Sequence, residues 1–244
     1  MTAYYLSRAR LRRDPDVAAL APVLMPADDD ARVHIGHRLV WTLFADGPDR
    51  RRDFLWREVA PGGARHGRGT FFILSERPPD DRISLFDLDP PKAFAPTLSP
   101  GDRLGFSLRA NPVVTRSCDV DGRRRQRRHD VAMDLLRTLD GARAERRLEA
   151  ITDAGRAWLV RQGERNGFRL PMPTAVCVDG YHRMRLPRAS AGTRGRRGTA
   201  IEFSVLDFDG ILEVLDPEVF LRGLYRGFGK GKAFGCGLML IRRV

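Results

Sequence analysis

Apolar positions recur along the chain with two spacings, and where one gives way to the other the chain changes element. Tyr4 to Leu11 reads as a strand. Asp28, Asp29 and Asp30 then offer an N-cap and first-turn carboxylates for a helix from about Ala31 to Phe44. Phe54 to Val59 and Thr70 to Leu74 are short strand candidates joined across a turn signal, Pro61-Gly62-Gly63. The chain therefore begins β-α-β-β. Residues 77–102, rich in Pro and Asp, read as a degenerate helix or a linker. A second series follows: Leu104 to Asn111 as a strand closed by Pro112, helical spacing at 130–139 and 145–166, and long strands over Ala175 to Leu186 and Ile201 to Leu215. Pro217 opens a helix ending near Arg226, and the chain finishes as a strand. The repeated β-α-β-β-α-β order predicts an α+β fold of two tandem ferredoxin-like domains, 1–95 and 103–244.

Length and composition bound this picture without changing it. A chain of 244 residues, 42% hydrophobic, can form one large core or two small ones. Its formal net charge of +12 favours a polyanionic partner, either nucleic acid or an anionic membrane surface. Met1 to Arg10 lacks an apolar signal core, and no segment approaches the roughly 18 apolar residues of a membrane span, so cytoplasmic residence is expected. Cys118, Cys177 and Cys236 are too scattered for a disulfide framework or a CxxC pair and read as reduced structural thiols.

The charge is concentrated in two places. Arg116, Arg123, Arg124, Arg125, Arg127 and Arg128 fall where a loop is expected. Arg183, Arg185, Arg188, Arg194, Arg196 and Arg197 surround the turn between the two long strands, with no acid from Tyr181 to Ala200. Arginine pairs bidentately with phosphate, so this basic hairpin suits contact along a nucleic-acid backbone; the alternative is a solvated loop. A membrane role is disfavoured because no apolar helical face accompanies these charges.

Two further features carry candidate chemistry. On the helix near residue 37, at about 100° per residue, Val33, Ile35, Leu39, Val40, Leu43 and Phe44 share one face, while His34, His37, Arg38 and Trp41 gather on the opposite flank. His34 and His37 thus lie side by side and away from the expected core. A pair of imidazoles can supply a base and an acid near neutral pH, which phosphodiester transesterification requires. The pair is also half of a metal site, but no HExxH and no cysteine or carboxylate cluster completes it, so neither metal nor cofactor is expected. Near the end of the chain, Gly227 to Leu238 contains five glycines and two of the chain's three lysines, Lys230 and Lys232. Glycines such as Gly229 and Gly231 let a backbone lie against phosphate and direct N–H groups at it; a turn before the last strand is the plainer reading.

Taken in order, several segments resemble one family. They are His37 to Phe44, Phe54-Leu55-Trp56-Arg57, Leu108-Arg109-Ala110-Asn111-Pro112, Ala157-Trp158-Leu159 leading to Asn166-Gly167-Phe168, and the C-terminal glycine-rich loop. Together they resemble the CasE-type CRISPR repeat endoribonucleases, the crRNA-processing subunits of type I-E Cascade. The resemblance spans nearly the whole chain. It implies tandem RAMP domains of ferredoxin-like, RRM-like fold, metal-independent cutting at the base of a repeat stem-loop, and retention of the crRNA beside other Cascade subunits. His37 occupies the place of the family's catalytic histidine. His34 stands where a tyrosine is frequent, which leaves it as a second acid–base group or an orienting one. The resemblance gives Lys232, Lys230 or a hairpin arginine the task of offsetting charge at the phosphorane; Arg38, on the histidine flank, is expected among the RNA contacts. The alternative function is a non-catalytic RNA-binding or scaffold subunit of a ribonucleoprotein.

Overall fold

The computed structural model describes residues 3–45, 47, 52–59, 69–120, 123–138, 144–186 and 201–244. They form two compact units: one of residues 1–97 with 231–238, the other of 98–230 with 239–244.

The first unit begins with β1 (Tyr5–Leu11), followed by two short helices, α1 (Pro15–Ala19) and α2 (Ala21–Leu24), each opened by proline in its first turn. The sequence pattern had not indicated these helices, which are too short to show a period. Next come α3 (Asp29–Thr42), β2 (Phe54–Glu58), β3 (Thr70–Ser75), β4 (Phe86–Leu88) and β5 (Lys92–Ala93). The sheet order β2-β3-β1-β4 is antiparallel throughout, with β5 also pairing β1. This is the ferredoxin-like arrangement with its second helix missing: the Pro- and Asp-rich stretch after β3, expected as a degenerate helix or a linker, instead supplies the short strands β4 and β5 beside β1. One face of α3 covers the sheet: Leu39, Val40, Leu43 and Phe44 bury against Ala9, Phe54, Trp56, Phe71 and Ile73. Burying each large side chain contributes about 1.5–3 kcal/mol. Phe44 and Phe54 stack at 4.6 Å between ring centroids, and Trp41 meets the edge of Phe54 at 5.1 Å.

In the second unit, β6 (Arg103–Ala110) is followed by an antiparallel ribbon, β7 (Val113–Val120) and β8 (Arg123–Asp130), then by α4 (Val131–Thr138) and α5 (Ala144–Arg165). The remaining elements are β9 (Phe168–Arg169), β10 (Cys177–Leu186), β11 (Ile201–Val214), α6 (Pro217–Arg226) and β12 (Met239–Arg243). The sheet order β10-β11-β6-β12, with β9 pairing β11, is again ferredoxin-like. The ribbon corrects the loop expected at 123–128. Its strands pair with each other and with neither main sheet, so no core forced on them the alternation by which strands are recognised. Asp130 fastens the ribbon's end to the sheet by accepting hydrogen bonds from Asn111 Nδ2 at 2.8 Å and the Ser204 backbone N–H at 2.6 Å. No helix among the described residues is long and apolar enough to cross a membrane.

Candidate active site

α3 is fixed at both ends. Asp28 Oδ1 accepts from the Ala31 N–H at 2.7 Å, and Asp29 and Asp30 occupy the first turn, where carboxylates suit the helix dipole. At the far end Arg77 donates from Nη2 to the Phe44 carbonyl at 3.3 Å and from Nε to Asp53 at 2.6 Å. Midway, Gly36 lets the helix rest on Trp56, since a Cβ there would lie 2.9 Å from Trp56 Cη2. Trp56 donates its indole N–H to the Ala233 carbonyl at 3.2 Å. It also sits against Gly235, whose added Cβ would lie 3.3 Å from the ring. One buried indole thereby holds both the first long helix and a segment near the end of the sequence.

His37 projects from the side of α3 that meets this segment. Its ring lies 6.2 Å from Phe234 and is half-buried, which corrects the expectation that the histidine flank avoids the core. The apolar period of α3 describes only its contact with the sheet; the packing of Phe234 is a long-range event that local spacing cannot encode. Trp41, one turn on, donates its indole N–H to His37 Nε2 at 3.1 Å, with the two rings edge to face. Nδ1 is buried without a hydrogen-bond partner. The imidazole pKa is lowered from its ordinary value, first by burial and then by the positive charges of Arg52, His34 and Arg38. His34 is half-buried one turn earlier, and Arg38 is exposed. A cavity of about 780 Å³ opens beside this flank, lined by His37, Arg38, Trp41, Thr42, Ala45, Arg82 and Ile83. Sequence reasoning did not assign roles to Trp41, Phe234, Arg52 or Arg82. Only Trp41 carried a signal, its i, i+4 spacing from His37.

The glycine-rich loop is divided between the two units. Lys232 opens a 3-10 turn, Lys232–Phe234, bracketed by left-handed Gly231 (φ 68°) and Gly235 (φ 73°). The turn packs against α3, so the structure brings Lys232 to the histidine helix. Gly229 and Lys230 belong to the other unit and have a visible structural task. The Lys230 N–H bonds the Asn111 carbonyl at 3.2 Å. A Cβ on Gly229 (φ 72°) would lie 2.6 Å from that same oxygen. The glycine there serves a close approach of two backbones, joining the Leu-Arg-Ala-Asn-Pro block to the loop.

On β10 the burial alternates, with Met184 and Leu186 inward and Arg183 and Arg185 outward. The acid-free stretch is not free of acid in space. Arg183 pairs with Glu202 across the ladder at 2.5 Å, and Arg185 reaches the same carboxylate at 3.4 Å. The Glu202 carboxyl is held below its ordinary range by the Arg183 hydrogen bond and then by the Arg183 charge. Arg188, Arg194, Arg196 and Arg197, like the turn at 61–63, lie outside the described residues. Among the described residues no three His, Cys, Asp or Glu side chains converge as a metal site would require.

An imidazole kept neutral, a second imidazole one turn away, arginines beside a cavity and a lysine brought alongside form a set suited to phosphodiester chemistry. Comparison with known proteins points the same way. Residues 4–243 match the family model described as CRISPR associated protein. Over 159 residues the chain is 35% identical to the CRISPR-associated endoribonuclease Cse3 of Thermus thermophilus, covering 62% of this chain and 61% of that protein. It is 26% identical over 205 residues to the CRISPR system Cascade subunit CasE of Escherichia coli, covering 83% and 88% respectively. A solved structure of Thermus thermophilus Cse3 bound to an RNA representing a pre-cleavage complex superposes with a TM-score of 0.63 at 25% identity, over 98% of this chain and 99% of that one. With nearly its whole length matched by the family model, the chain belongs to the CRISPR associated protein family.

Proposed function

We propose that this protein is a metal-independent endoribonuclease that binds the stem-loop of a CRISPR repeat and cuts the precursor RNA at the base of the stem. The observation that carries the reading is His37, a half-buried imidazole of lowered pKa beside a cavity and one turn from a second histidine. Neutral at physiological pH, His37 takes the proton of the ribose 2′-hydroxyl upstream of the cut. The 2′-oxygen attacks the adjacent phosphorus and the bond to the 5′-oxygen breaks, leaving a 2′,3′-cyclic phosphate and a 5′-hydroxyl. His34 supplies the proton to the departing oxygen, and Lys232 offsets charge on the phosphorane. Arg38, Lys230 and the arginines of the β10–β11 hairpin hold the RNA, reading the stem by A-form shape and phosphate contacts. In this reading an N-terminal domain over 1–95 carries the catalytic helix, and a C-terminal domain over 103–244 carries the hairpin and the glycine-rich loop, of which residues 231–238 belong to the first compact unit. The protein works in the cytoplasm and keeps its product within a Cascade assembly.

The test is incubation of the purified protein with its own labelled repeat RNA in EDTA. A single cut ending in a cyclic phosphate, blocked by 2′-deoxy substitution upstream of it, is the expected result. Activity lost on chelation and restored by a divalent ion would overturn the mechanism, and binding without any cut would favour the scaffold function.

A further inference from the structure

Of the two nitrogens on His37, Nδ1 is buried, so chemistry at this ring must pass through Nε2. The Nε2 lone pair is already engaged, accepting the Trp41 indole N–H at 3.1 Å. A nitrogen that accepts a hydrogen bond carries no proton, and the neutral ring then holds its proton on Nδ1. We propose that Trp41 is a positioning residue for His37: its indole N–H keeps Nε2 unprotonated and the ring held in place beside the cavity until a ribose 2′-hydroxyl replaces it as donor to the same lone pair. This inference rests on the reading of His37 as the base.

The geometry supports such an exchange. Trp41 and His37 both line the cavity, so a group entering it meets indole and imidazole together. The Trp41 ring is braced at the edge of buried Phe54, which fixes the indole while leaving its N–H toward His37. A donor to Nε2 stabilises the neutral imidazole and so opposes protonation, in the same direction as burial. Nearby charges act likewise, Arg52 before β2 and then His34 and Arg38 on α3; Arg82 lines the same cavity, and Lys232 lies on the turn packed against the helix. None of these cations selects a tautomer. Trp41 does.

The test begins with the free protein, by NMR of the histidine ring nitrogens. Wild type should show His37 as the Nδ1–H tautomer, and the Trp41 indole N–H resonance should titrate with His37, because protonation removes its acceptor. Trp41→Phe, which keeps an aromatic ring and deletes the donor, should move His37 toward the Nε2–H tautomer and raise its pKa by on the order of one unit. The acid limb of the single-turnover pH–rate profile should move up with it, costing up to about tenfold in rate at pH values below the wild-type folded pKa and little near pH 8, with RNA affinity unchanged. An unchanged tautomer and titration in Trp41→Phe, or a wild-type indole resonance indifferent to His37, would overturn the proposal. So would a pH–rate profile that stays in place while the NMR titration moves. Should Trp41→Phe fail to fold, the wild-type titration alone decides. Because the NMR arm does not involve cleavage, a His37→Ala protein that still cut RNA would remove the catalytic reading without touching the measured tautomer.

Discussion

His37 is where burial, charge and hydrogen bonding converge on one side chain, and all three favour its neutral form. That has a consequence for stability as well as for rate. In the unfolded chain an imidazole titrates near pH ~6.5, whereas in the folded protein His37 takes its proton at lower pH. Between those two values the unfolded state binds more protons, so stability rises with pH there. The contribution is complete above about pH 6.5 and is lost as pH falls through the folded value. The urea midpoint should therefore drop between about pH 7 and pH 5, and His37→Gln should drop less over the same range. Parallel curves for the two proteins would contradict the lowered pKa. His37 and His34 were legible as residues of interest, but their surroundings were not. Phe234 and Ala233 come from nearly two hundred positions away, and no local period announces them. For the same reason Glu202, across the ladder from Arg185, escaped a reading that looked for acids only along the chain.

At the scale of elements, what holds the candidate site is a set of close approaches made possible by glycine. Gly36→Ala would gain helix propensity of up to about 1 kcal/mol but would press a methyl group onto Trp56, which is 1% exposed and cannot yield. Overpacking of this kind costs about 1–3 kcal/mol, so the variant should be less stable by thermal or urea unfolding. A more stable Gly36→Ala would show that α3 is free to lift from the sheet. Gly229→Ala should be worse, because it combines a left-handed φ with a clash against the Asn111 backbone oxygen. Loss of RNA binding in that variant would report damage to the fold and not a lost RNA contact. The sequence made α3, α6 and the longer strands of the two sheets readable because each has a cap or an apolar period, whereas the two- and three-residue strands β4, β5 and β9 are too short to show one. It concealed α1, α2 and the arginine-rich β8, which have no such period.

Across the whole molecule the net charge of +12 sets the expectation of RNA binding, yet charges count only where they face phosphate. Arg183 and Arg185 are outward on β10 but share the Glu202 carboxylate, so their effective charge is smaller than their number. Replacing both with alanine should weaken stem-loop binding for any stem sequence and flatten log K against log salt by roughly one unit, which a filter-binding titration would read. Glu202→Gln should do the opposite and tighten binding at low salt. If neither change moves affinity or slope, the RNA lies elsewhere. The most direct test of the central claim, that the α3 histidine cuts RNA, is single-turnover cleavage of the repeat by wild type and by His37→Ala with RNA affinity measured in parallel. The account predicts a rate lower by roughly 10² to 10⁴ at nearly unchanged affinity. A His37→Ala protein that cuts at the wild-type rate would contradict it and return both histidines to the surface chemistry of an RNA-binding subunit.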